Sequence, residues 1–124
     1  MNDEAQTLEL AAEQFLSDRR HLRLRLYQQL WDRLGSVRQL GVAVEELSEL
    51  TKELSRAIED EVKPEGAPPR TSTDKIIDEV TDVSIILEEL IYHYDIEKEV
   101  HKLMGKKLRR TEKFLMSLDN GENK

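Results

Sequence analysis

Apolar residues recur along this chain mostly at the three- and four-residue spacing of helices. Over residues 4–16, Leu8, Ala11, Ala12, Phe15 and Leu16 mark a short amphipathic helix, which Ser17 and Asp18 can end and restart. From about Asp18 to Leu34, Leu22, Leu26, Leu30 and Leu34 return at every fourth position. The local alternation of Leu22, Leu24 and Leu26 suits a strand equally, and the helical flanks decide for helix. Gly35 supplies a left-handed residue to end that helix, and Ser36-x-x-Gln39 reads as a capping box for the next. The stripe Leu40, Val44, Leu47, Leu54 and Ile58, widened by Ala43 and Leu50, continues until residues 62–73, where Pro64, Gly66, Pro68 and Pro69 stop it.

Thr71, Ser72 or Thr73 can cap a further helix carrying Ile76, Ile77, Val80, Val83, Ile85, Ile86, Leu87, Leu90, Ile91 and Tyr94. It is apolar over most of its circumference, so it is expected at the centre of a bundle or in a subunit interface. Asp95 is the expected cap of a last helix with Val100, Leu103, Met104, Leu108, Phe114 and Leu115 as apolar positions. The expectation is an all-α bundle of four to five helices. It divides into a helical arm over 1–20, a helical domain over 21–118 and a disordered tail over 119–124.

Composition narrows the function. At 124 residues, 36% of them charged and 5% aromatic, the chain fits one helical domain. A net charge of -7 argues against nucleic acid or anionic membrane as partner, since both would repel it. The longest apolar run, Ile85-Ile86-Leu87, is far short of a membrane span, and no secretory leader pattern opens the chain, so the expected compartment is the cytoplasm. With no cysteine, any metal must be held by oxygen or imidazole.

Two acidic pairs then stand out. Glu46-x-x-Glu49 and Glu79-x-x-Asp82 each place two carboxylates on one helix face, with Cβ atoms about 5–6 Å apart. Glu79 and Asp82 sit among Ile76, Val80, Val83 and Ile86, where ionised carboxylates without partners are costly. Glu45 and Glu49, like Asp78 and Asp82, are like-charge pairs at i,i+4. A cation would relieve both penalties. Oxygen ligands select Mg²⁺ or Mn²⁺, and the chemistry suited to such a cage is phosphoanhydride hydrolysis. The alternative is a solvated acidic face paired with Lys52, Lys75 or other bases. A helical di-iron centre needs Glu-x-x-His on two helices; His93 and His101 instead follow Glu89 and Glu97 at the wrong spacing. All three histidines, His21 included, are expected at the surface or rim.

Gly35-Ser36-Val37-Arg38-Gln39-Leu40, Glu45-Glu46-Leu47-Ser48-Glu49-Leu50 and Asp78-Glu79-Val80-Thr81-Asp82-Val83 together resemble the MazG-type all-α nucleoside triphosphate pyrophosphatases. The signature of that family is Glu-Glu-x-x-Glu on one helix and Glu-x-x-Asp on the next, and the likeness runs from about Trp31 to Phe114. The resemblance implies a homodimer or homotetramer that cleaves a nucleoside triphosphate between its α and β phosphates. Glu46, Glu49, Glu79 and Asp82 match the family's Mg²⁺ ligands, and Glu45 matches a further acid serving as catalytic base or ligand. Lys106 and Arg109, or Lys107 and Arg110 one register on, match residues that neutralise the phosphates; the alternative for these cations is a complement to the helix dipole. Trp31 can stack on a base or anchor a core, and Gln39 can read a base edge or serve as a cap. A dUTP or dUDP hydrolase, a phosphoribosyl-ATP pyrophosphatase and a non-catalytic helical interaction module stand as alternatives. The Pro-rich segment is a lid or, more simply, a passive connection.

Overall fold

The computed structural model describes residues 2–121, without the side chains of residues 2, 12 and 15–18. The expectations for the side chains of Ala12, Phe15, Leu16, Ser17 and Asp18, and for the last residues of the tail, fall outside that set. Five helices form: α1 (Asn2–Asp18), α2 (Arg20–Leu34), α3 (Ser36–Val62), α4 (Thr73–Tyr94) and α5 (Glu97–Asp119). Among the described residues there is no strand, so the all-α expectation holds and the alternation at Leu22–Leu26 lies within α2. No helix of the described residues is long and apolar enough to cross a membrane.

The chain forms two compact units, Met1–His93 and Tyr94–Lys124. In the first, α1 leads into α2 through Arg19 with its described side chains exposed, and α2 packs on α3. Gly35 makes the α2–α3 reversal: at φ 88 it takes a conformation that side chains disfavour, and its N–H donates to the Trp31 carbonyl at 3.0 Å. The expected capping box is absent. Ser36 is already the first residue of α3, Gly35 is its N-cap, no side chain caps the helix, and the Gln39 amide is engaged elsewhere.

Helices α3 and α4 run antiparallel, as their cross-helix pairs require: Gln39 meets Glu89, Glu46 meets Asp82, and Glu53 meets Thr71 at the start of α4. Helix α2 lies parallel to α4. Arg23 Nε and Tyr27 Oη both donate to Glu88 Oε1 at 2.7 Å, and the Trp31 ring stacks on His93 with centroids 3.6 Å apart. The buried apolar residues Tyr27, Trp31, Ala43, Val83 and Ile86 all come from α2, α3 and α4.

The Pro-rich connection between α3 and α4 is strapped to the end of α3. Asp60 accepts the backbone N–H groups of Arg70 and Thr71 at 2.8 and 3.1 Å, Arg70 pairs with Glu59, and Lys63 Nζ donates to the Ala67 carbonyl. Ser72, among the three caps proposed for α4, accepts the Lys75 N–H at 3.3 Å. The second unit carries α5. There the expected cap differs: Ile96 is the N-cap residue without a side-chain bond, and Asp95 adopts a left-handed φ of 54 in the preceding turn.

Candidate metal centre

Every seventh residue of α3 from Gln39, that is Gln39, Glu46 and Glu53, faces every seventh residue of α4 from Lys75, taken in reverse. The α3–α4 seam is therefore polar at regular intervals. At one end the buried Glu53 accepts from Thr71 Oγ1 at 2.7 Å and from Arg56 Nη1 at 2.9 Å, with Lys75 adding positive charge. The Thr71 bond, ahead of the Arg56 pair, holds its carboxyl below the usual carboxylate range. At the other end the buried Gln39 donates from Nε2 to the buried Glu89 at 2.7 Å.

Between these two satisfied ends lies an acidic cluster. Glu46, Glu79 and Asp82 each offer a carboxylate oxygen, and the three oxygens lie within 4.8 Å of one another. Burial, then the charge of Asp82 and a hydrogen bond with it, push the Glu46 carboxyl up. Burial, followed by the charges of Asp78, Asp82, Glu49 and Glu53, pushes Glu79 up as well. Glu79 Oε2 is buried and, among the described residues, has no hydrogen-bond partner. Glu46 and Asp82 also border a recess of about 150 Å³ whose other walls are Val42, Ile85 and Ile86.

The acids chosen from the sequence divide accordingly. Glu46, Glu79 and Asp82 come together, whereas Glu49 and Glu45 are exposed and reach the cluster through charge, Glu49 on Glu79 and Glu45 on Glu46. Lys75, proposed as a neutralising partner, acts on Glu53. Trp31 is buried against His93 and Gln39 is bonded to Glu89, so neither presents a free face or edge in this arrangement. Lys106, Lys107, Arg109 and Arg110 lie on α5, in the second unit.

Sequence reasoning passed over Glu53 and Glu89, and the signal for both was available. They sit seven residues after Glu46 and Asp82, the interval that returns a residue to the same helix face.

The donor set suits a hard divalent cation. It offers carboxylate oxygens alone, from two helices; burial, with neighbouring carboxylates adding to it, pushes Glu46 and Glu79 up, and among the described residues one buried Glu79 oxygen lacks a hydrogen-bond partner. The chain matches no known family model, no curated protein and no solved structure.

Proposed function

We propose that the protein is a Mg²⁺-dependent nucleoside triphosphate pyrophosphohydrolase of the MazG-like kind, releasing pyrophosphate and a nucleoside monophosphate. The observation that carries this reading is the convergence of Glu46, Glu79 and Asp82 around a buried carboxylate oxygen with no partner among the described residues. A bound divalent ion would neutralise phosphate charge and lower the pKa of a water molecule for attack on phosphorus.

The residues of the chain divide the work. Glu46, Glu79 and Asp82 would hold the cation, with Glu49, whose charge reaches Glu79, as a further acid beside them. Glu45, beside Glu46, is the further acid that orients metal or water.

The experiment is incubation of the purified protein with a panel of ribo- and deoxynucleoside triphosphates and Mg²⁺, following pyrophosphate. Release of pyrophosphate that disappears in Asp82→Ala with helical circular dichroism intact is the expected result. Inorganic phosphate as the sole product would reject cleavage between the α and β phosphates. A calorimetric titration without Mg²⁺-dependent nucleotide binding would reject the enzyme altogether.

A further inference from the structure

Charge is distributed unevenly along the chain. Helix α5 carries seven Lys and Arg against four Asp and Glu, which leaves twelve bases against twenty-two acids elsewhere. Between Glu99 and Glu112 there are five cations and no acid. Their placement around the helix is ordered as well. Lys98, Lys102, Lys106, Arg109 and Lys113 follow one another at intervals of four, four, three and four, which keeps them within about 80° of one side over a length of about 22 Å. All five are exposed, and among the described residues none is ion-paired. Like charges three and four apart repel along a helix, so this ridge weakens α5 unless an anion lies along it.

A second feature of α5 points to the same occupant. Gly105 stands beside the middle of the ridge, one turn from Lys102 on one side and from Arg109 on the other. Its backbone is ordinary helix, and a Cβ there would meet no heavy atom within 4 Å, so nothing among the described residues requires a glycine. In mid-helix a glycine costs stability, and this one leaves a notch of bare backbone between cations, which lets a ligand approach closely.

The shape of the ridge selects the anion. The opposite side of α5 carries Val100, Leu103, Met104, Leu108 and Leu115, so a lipid surface would take that side and leave the ridge, about half a turn away, facing water. The ridge itself has no Phe, Tyr or Trp on which an unpaired base could stack, and no Asn or Gln to read a base edge. A nucleic-acid duplex presents one phosphate charge per about 1.7 Å of axis, enough to meet every cation along about 22 Å, whereas a free triphosphate is too short to span them. The net charge of -7 opposes such binding only as an average, because charges more than about 10 Å apart are largely screened at 0.1 M salt.

We infer that the Lys98-to-Lys113 ridge, with the notch at Gly105, binds the phosphate backbone of double-stranded nucleic acid without reading its bases. This goes beyond the proposed chemistry, and its test, run in EDTA, does not depend on it. Fluorescence anisotropy of a labelled mixed-sequence DNA duplex of about 20 base pairs, titrated with the full chain, should show binding whose log K falls against log salt with a slope between about -2 and -4.5. Lys98→Gln and Lys102→Gln, at exposed positions, should each make that slope shallower by about 0.9 while the helical circular dichroism is retained. Gly105→Ala should raise the thermal midpoint yet weaken duplex binding at least threefold, a combination that misfolding cannot imitate. No binding at about 50 mM salt, or a slope that both lysine variants leave unchanged, would overturn the inference. So would binding confined to polyglutamate or to phosphatidylserine vesicles, release of the duplex by ATP at an equal phosphate concentration, or a Gly105→Ala variant that binds as tightly as wild type.

Discussion

Gln39 and Glu89, fifty positions apart, are joined by a 2.7 Å hydrogen bond between two side chains that are each only 4% exposed. An amide donor on α3 satisfies a carboxyl on α4 and fixes the register of the two helices, two turns from the acidic cluster. Removing the donor leaves the carboxyl desolvated without a partner. Gln39→Ala should therefore lower unfolding stability by about 1.5–3 kcal/mol in urea titrations, and Glu89→Gln, which keeps a polar partner, by less. Equal small losses in both variants would show that the pair does not set the register.

The acidic cluster predicts a dependence on both pH and metal. Burial and neighbouring carboxylates raise the folded-state pKa of Glu46 and Glu79, so above the ordinary range of about 4–5 the folded protein binds more protons than the unfolded chain. Their contribution to stability falls as pH rises through that window. Glu79→Gln should stabilise the metal-free protein relative to wild type, increasingly so towards neutral pH. Mg²⁺ should raise the melting temperature of wild type at neutral pH, do so less in mild acid, and leave Glu79→Gln nearly unchanged. An equal Mg²⁺ response in both proteins would remove the cation from this site.

The strap over residues 63–72 has the opposite acid response. Backbone N–H groups of Arg70, first, and Thr71 hold the Asp60 carboxyl below its ordinary value, against the opposing effect of burial. The strap is thus complete above the usual carboxylate range and is lost as pH falls through the depressed value. Asp60→Ala should speed tryptic cleavage after Arg70 at neutral pH several-fold, and mild acid should not reproduce that effect until the depressed pKa is reached. Cleavage at the wild-type rate would mean that the Asp60 bonds do not hold the loop.

Tyr27 offers an alkaline probe. Burial, followed by its hydrogen bond to Glu88 and the charge of that carboxylate, pushes the phenol up to about 12. The associated stability is complete below the ordinary value of about 10 and lost as pH rises through about 12. Among the three tyrosines, an ultraviolet titration should show one late ionisation near 12 that Tyr27→Phe deletes. Its survival in the phenylalanine variant would assign it elsewhere.

The spacing of leucine, isoleucine and valine, the glycine at 35 and the prolines after Lys63 fixed the helical class and the helix breaks to within a few residues, because periodicity and backbone permission are local properties. That Glu79 and Asp82 share a face was legible too, since residues three apart on a helix do so wherever that helix goes. Partner choice was not. Gln39 had a local role available as a cap and took a distant one with Glu89. Glu49 had the same motif spacing as Glu46 and stayed exposed. Trp31 found His93. Those outcomes depend on the rotation and antiparallel register of α3 and α4 and on the placement of α2. Packing across the whole unit sets these, and a one-dimensional pattern specifies which face is apolar without specifying which residue stands opposite.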